Sequence, residues 1–283
     1  MKCLVKTTGW IGDSLFCLPI AEKLKKEQGF TSVDYLIYLP QPYRLISNNP
    51  HIDNVFIHGL SKDFDESIYD KIYTMPVLGD RQELGTEIFQ KSCGIKNISK
   101  GFHVDTLKDF DYIANIFKKS LPDKPIITYQ GDWNKRRWFF TKGQFANGDL
   151  DRQGETESII KALDDSNKFN LIKISDQNSE SRSKDIRGCD LDYDRFAFLA
   201  SLIKISDLFI GAEGGISNLA SGIGTKCIIT TCHLHKWMKI NNYGYVPAGP
   251  ENFFPNSGHL NANPYTTNEE FADLVFNFFK TQQ

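Results

Sequence analysis

The chain has 283 residues, with 33 Lys and Arg against 35 Asp and Glu, a formal net charge of -2, 40% hydrophobic residues and 24% charged ones. That length suits one large or two ordinary domains with their own cores, and the even charge excludes nucleic-acid binding through bulk positive potential. No apolar run approaches the roughly 20 residues of a membrane-spanning helix.

The start, Met1-Lys2-Cys3-Leu4-Val5-Lys6, is too short in its apolar part for a signal peptide and predicts a first strand over 2–7. Thr8 to Ser14 reads as a loop with Gly9 and Gly12, followed by an amphipathic helix from Leu15 to Gln28 whose first turn is irregular at Pro19. Further strands are predicted at Val33–Leu39, Val55–His58 and Lys71–Met75, with helices at Pro42–Asn48, Thr86–Cys93 and within Asp105–Ser120. Leu121-Pro-Asp-Lys-Pro125 has the composition of a linker, and the domain boundary is placed there.

The pattern then restarts. Strands are predicted at Ile126–Tyr129, Phe169–Ile174 and Lys226–Thr231, with helices at Glu155–Leu163 and Phe196–Ile205 and a final amphipathic helix at Thr267–Lys280. Strands alternating with helices in both halves predict α/β domains with parallel sheets. Cys3, Cys17, Cys93, Cys189, Cys227 and Cys232 show no C-x-x-C spacing and read as reduced thiols of a cytoplasmic protein.

Two stretches carry candidate chemistry. Phe209-Ile-Gly-Ala-Glu-Gly-Gly-Ile-Ser-Asn-Leu-Ala-Ser-Gly-Ile-Gly224 reads as strand end, glycine turn and helix start. Free N–H groups and the positive end of a helix dipole converge there, so it is a candidate diphosphate site at Gly214, Gly215 and Ile216. The plainer alternative is a glycine turn that only closes tightly. Asp13 has two readings as well: it or Ser14 caps the following helix, or it is a carboxylate at the carboxyl end of a parallel strand that takes a proton from a hydroxyl.

Weaker signals complete the set. Lys135-Arg-Arg137 between Trp133 and Trp138 reads as a solvated basic turn or as a diphosphate contact through Lys135 and Arg136. D-x-D patterns at Asp63–Asp65, Asp109–Asp111 and Asp190–Asp194 match metal-holding spacings, but 35 acidic residues make chance matches expected. Asp192 or Asp194 reads better as a helix cap. Cys232-His-Leu-His235 lacks a third and fourth ligand nearby, so no metal site is assigned.

Lys6-Thr-Thr-Gly-Trp-Ile-Gly-Asp-Ser-Leu-Phe-Cys-Leu-Pro19 resembles the N-terminal signature of glycosyltransferase family 9, the bacterial heptosyltransferases. Asp207–Gly224 with Thr225–Ile228 resembles its donor motif, and Asn49–Val55 and Lys135–Trp138 resemble further family segments. The resemblance implies the GT-B architecture: two Rossmann-like domains facing across a cleft, with the C-terminal helix crossing back to the first. The implied parts are an acceptor domain over 1–123, a nucleotide-sugar donor domain over 124–264 and the crossing helix over 265–283.

The implied activity is inverting, metal-independent transfer of a sugar from a nucleotide diphosphate-sugar to a carbohydrate or glycolipid acceptor, without a cofactor, in lipopolysaccharide or surface glycan assembly. Peripheral contact with the inner membrane surface and no nucleic-acid partner go with it. Asp13 falls on the family's proposed base, and Gly9, Trp10 and Gly12 on its acceptor-side loop. Lys135, Arg136, Glu213, Gly214, Gly215, Ile216 and Asn218 fall on the donor side. Glu213 stands where aspartate is usual, Asn218 where histidine is usual and Gly214 where a hydroxyl residue is usual, so donor sugar and base stay open. Two rival readings remain: a sugar-nucleotide epimerase or hydrolase on the same fold, and a non-catalytic nucleotide- or carbohydrate-binding homologue.

Overall fold

The computed structural model describes residues 1–7, 9, 11–76, 85–99, 101–130, 160–174, 193–212, 215–230, 259–262 and 268–280. Strand β1, Lys2–Lys6, is buried through its middle, as a central parallel strand with no polar face should be. It pairs in parallel with β2, Ser32–Ile37, and with β4, Lys71–Thr74, while β2 pairs with β3, Asn54–Ile57. The order is β3-β2-β1-β4.

A second sheet has the order β6-β5-β7-β8-β9. It is built from β5 Ile126–Gln130, β6 Asn170–Ile174, β7 Leu208–Ala212, β8 Cys227–Thr230 and β9 His259–Ala262. All its pairings are parallel. In each sheet the strand order reverses beside the first strand: β1 lies between β2 and β4, and β5 between β6 and β7. Open parallel sheets place ligands at such reversals, outside the carboxyl ends of the strands. The chain leaves β1 for Gly9–Asp13 and β7 for 213–215, so both candidate motifs open at a reversal.

Helix α1, Ile11–Phe16, begins earlier than Gly9 and Gly12 suggest, and Gly12 lies within it. Ile11, Gly12, Ser14, Leu15 and Phe16 are all buried, and this tertiary packing overrides weak local propensity. The chain breaks at Cys17 and resumes as α2, Leu18–Gln28, with Pro19 in its first turn, where a missing N–H costs nothing. At the break the Cys17 carbonyl accepts from the Ile20 N–H at 2.9 Å and from the phenol of Tyr35 at 2.6 Å. Helices α3, Tyr43–Ser47, and α4, Gly85–Ser92, follow in the first half.

Helix α5, Lys108–Ser120, packs on α6, Tyr193–Lys204. The Asp111 carboxylate accepts from Ser201 Oγ at 2.7 Å, Lys204 Nζ at 2.7 Å and Thr106 Oγ1 at 2.8 Å. Beneath them Ala114, Ile126 and Ile205 form a small core. Helix α7, Gly215–Ile223, follows β7. The main core runs without interruption from Cys3, Val5 and Tyr35 through Leu15 and Phe16 to Ala200, Phe209, Leu219 and Ala220, so it joins both sheets.

The last helix, α8, Asn268–Lys280, buries Val275 with Ile127, Leu163, Leu208, Ile210 and Ile228. Its Phe276 and Phe279 rings lie 5.7 and 5.0 Å from that of Phe169. Its apolar stripe therefore covers the second sheet. Among the described residues, the packing of this helix gives no support to the crossing toward the first half that the resemblance implies.

Candidate active site

The site is built where two helices start. Thr7 ends β1 with its N–H on the Leu36 carbonyl at 2.9 Å, and its hydroxyl lies 3.3 Å from Ser14 Oγ, which fastens the strand end to α1. Between them the exposed Gly9 has φ 102, a left-handed conformation that costs a residue with a Cβ. The Asp13 carboxylate lies against Gly9, with Oδ2 occupying the space where a side chain on residue 9 would begin. Asp13 is half-buried and sits in the first turn of α1, not in the loop and not at a cap. The N-cap of α2 is Cys17, without a side-chain bond, so neither Asp13 nor Ser14 fills that role.

On the other side β7 ends at Ala212 and α7 begins at Gly215. Gly215, Ile216 and Ser217 are buried. A Cβ on Gly215 would lie 2.9 Å from Ile11 Cβ and 3.2 Å from the Gly12 nitrogen. A Cβ on Gly12 would collide with the side-chain amide of Asn218. The starts of α1 and α7 thus meet closely, at a distance that needs glycine at residue 215. The far end of α7 is held too: Val104 N–H donates to the Gly222 carbonyl at 2.9 Å. The Phe102 ring stands edge-on to Phe16 at 5.4 Å.

The sequence-assigned residues Gly9, Gly12, Asp13, Gly215, Ile216 and Asn218 therefore gather at one junction. Trp10, Lys135, Arg136, Glu213 and Gly214 lie outside the described residues, as do Cys189, Asp190, Asp192, Cys232, His233 and His235. The D-x-D patterns that are described have other work. Asp65 caps a 3-10 turn through Ser67, with N–H and hydroxyl both at 2.8 Å, and Asp111 holds α6. Asp194 is not a cap but lies inside the first turn of α6, 3.6 Å from Arg44 Nε. Among the described residues no group of three or more His, Cys, Asp or Glu is arranged to hold a metal. Among them, too, no helix is long and apolar enough to cross a membrane. Cys3, Cys17, Cys93 and Cys227 are buried free thiols, as their scatter predicts.

No family model matches the sequence, and no curated protein matches it. Solved structures do match. A glycosyl transferase family 9 protein from Veillonella parvula aligns with a TM-score of 0.61 at 11% identity, over 99% of this chain and 89% of that one. E. coli ADP-heptose LPS heptosyltransferase II aligns at 0.59 and 11% identity, over 100% and 99%. The chain has the GT-B fold of the family 9 glycosyltransferases. The dodecameric iron-containing glycosyltransferase TibC of enterotoxigenic E. coli aligns at 0.52 and 14% identity, over 82% of this chain and 58% of that one.

Within the family 9 fold, sequence reasoning missed Ile11 as the side chain that seals against Gly215, and missed Phe102 and Val104 as the brace on Gly222. Ile11 carried a signal, being a large apolar residue beside a glycine in an otherwise open loop. Phe102 and Val104 carried none, since their partner is remote in sequence.

Proposed function

We propose that this chain is an inverting glycosyltransferase that moves a sugar from a nucleotide diphosphate donor to a carbohydrate or glycolipid acceptor, without a metal. The observation that carries the reading is the junction of α1 and α7: the half-buried Asp13 stands one residue beyond Gly12, which touches Asn218 and Gly215 of the glycine-rich helix start. A proton acceptor and an anion-stabilising helix end side by side are what transfer from a diphosphate needs.

Asp13 takes the proton from the acceptor hydroxyl as that oxygen attacks the anomeric carbon from the face opposite the leaving group. The bond from that carbon to the diphosphate oxygen breaks, and the diphosphate departs with the electron pair. Its growing charge is met by the N–H groups of Gly214, Gly215 and Ile216, the dipole of α7, the Asn218 amide, and Lys135 and Arg136. Glu213 accepts hydrogen bonds from sugar or ribose hydroxyls. The acceptor side lies within 1–123, with Gly9, Trp10 and Gly12 in its loop, and the donor side within 124–264. The chain works in the cytoplasm, meeting a glycolipid acceptor at the membrane surface.

The experiment is a thermal-shift screen of nucleoside diphosphates, followed by turnover of the matching nucleotide sugars, with ADP-heptose as the first donor. Asp13→Asn should bind the donor as wild type does and lose about 10²–10⁴-fold in turnover. EDTA should leave the rate unchanged. Equal turnover in the variant removes Asp13 from the role, and a rate lost to EDTA removes the metal-free mechanism. Release of sugar without any acceptor would favour the epimerase or hydrolase reading.

A further inference from the structure

Strand β5 ends at Gln130, at the strand-order reversal of the second sheet. Its side chains alternate between the faces of that sheet. Ile127 lies with Leu208 and Ile210 in the core that α8 covers, and Ile126 lies with Ala114 and Ile205 on the opposite face. Thr128 and Gln130 fall on the face of Ile126. There Gln130 pairs with Ile174 of β6 and, one step past the pairing of Tyr129 with Ile210, stands level with Gly211 of β7. Neighbouring strands are about 4.8 Å apart. The Phe209 ring fills the space of the side chain that Gly211 lacks, and a Cβ there would lie 3.1 Å from Ser217 Oγ in the first turn of α7. Gln130 therefore rises from the carboxyl end of β5 beside the start of α7.

Its surroundings leave it unpaired. Gln130 is 3% exposed, yet among the described residues no group hydrogen-bonds its carboxamide. The side-chain atoms among those residues that are sealed from solvent without a partner are Gln41 Oε1, Thr128 Oγ1 and Ser221 Oγ. The Gln130 carboxamide is not one of them, so the little of Gln130 that stays accessible is its polar tip. Buried polar groups are paired in the great majority of cases, because an open one costs its desolvation. An open carboxamide at the carboxyl end of a parallel strand, beside a helix start, is a group that a ligand completes.

We propose that Gln130 is a donor-binding residue whose Nε2–H donates to a phosphate oxygen of the nucleotide diphosphate at the start of α7. This rests on the reading of the chain as a nucleotide-sugar transferase. The start of α7 favours an anion, so the phosphate, not the base or the sugar, is the part of the donor that falls to Gln130. A phosphate oxygen is the acceptor that the carboxamide lacks. A neutral N–H meets it without the cost of burying a cation.

Isothermal titration calorimetry of the full chain with ADP, UDP, GDP and CDP tests the contact, beside thermal unfolding without nucleotide. Gln130→Met keeps the length of the side chain and removes its amide. It should unfold no lower than wild type, because it gives up no hydrogen bond of the free protein. It should bind the diphosphate that wild type prefers about ten- to hundredfold more weakly, and any other that binds by a similar factor. Gln130→Glu, which sets a carboxylate against the phosphate, should lose more than Gln130→Met. Thr128→Val removes the sealed hydroxyl two residues back on the same face and should bind as wild type does. Binding by Gln130→Met equal to wild type overturns the proposal and leaves the transferase reading standing. A wild type that binds none of the four diphosphates overturns both. A lowered midpoint in Gln130→Met, a loss confined to one base, or a milder loss in Gln130→Glu overturns the contact alone. So does a Thr128→Val chain weakened as much as Gln130→Met.

Discussion

Gly12 and Gly215 face each other across the junction of α1 and α7, but what stands against each differs. The atom in the way of a Cβ on Gly12 is the tip of the Asn218 side chain, which can swing aside. Around Gly215 it is the Cβ of Ile11 and the backbone nitrogen of Gly12, which cannot. Gly215→Ala should therefore lose about 1–3 kcal/mol of stability through overpacking, read as a lowered midpoint in urea. Gly12→Ala should keep its midpoint near wild type, helped by better helix propensity, and should instead lose turnover because Asn218 is displaced. At this scale the sequence was legible where chemistry is local. The glycines and Asp13 stood out as types, and they do gather at one place. Whether Asp13 sits in a loop, at a cap or in a helix was not legible, because α1 is held by burial of Ile11, Leu15 and Phe16 against remote partners.

Helix α5 is tied to α6 by one carboxylate. Burial pushes the Asp111 pKa upward, but donation from Lys204, Ser201 and Thr106 outweighs it and holds the group below its ordinary value. A depressed carboxylate contributes stability that is present above the unfolded pKa and lost as pH falls through the folded one. Asp111→Asn should therefore be less stable than wild type at neutral pH, and the gap should close in acid, below the usual carboxylate range. Denaturant unfolding across pH measures this, and a gap that persists unchanged in acid would remove the linkage. Most strands and helices were readable from apolar runs and glycine or proline stops to within a few positions. The sequence reading had no strand at β9, His259–Ala262, whose alternation is weak and whose strand character comes from pairing with β8. The course of α8 was not legible in the same way: its stripe of Phe and Val was plain, but nothing in it says which sheet it covers.

Across the whole molecule, the four cysteines among the described residues lie inside. Burial pushes Cys3 and Cys93 up to about 12, and burial also raises Cys17 well above its ordinary value. Thiolate is the reactive form, so at about pH 8 these three should resist alkylation in the native protein and react on unfolding. Peptide mapping after a short iodoacetamide pulse reads this, and rapid native labelling at any of the three would contradict the burial. Two-sheet α/β architecture was legible from alternation alone, while the continuity of the core across both sheets was not, since it depends on α1, α6 and α7 meeting. That meeting sets a condition on catalysis as proposed. The start of α7 packs on Ile11 and Gly12 of α1, so a shift of one helix start moves the other with it. Donor affinity then depends on how α1 is seated as well as on the residues of α7. A change of side chain at residue 11 should therefore be felt in two distant-looking properties at once, the cohesion of the two sheets and the hold on the donor.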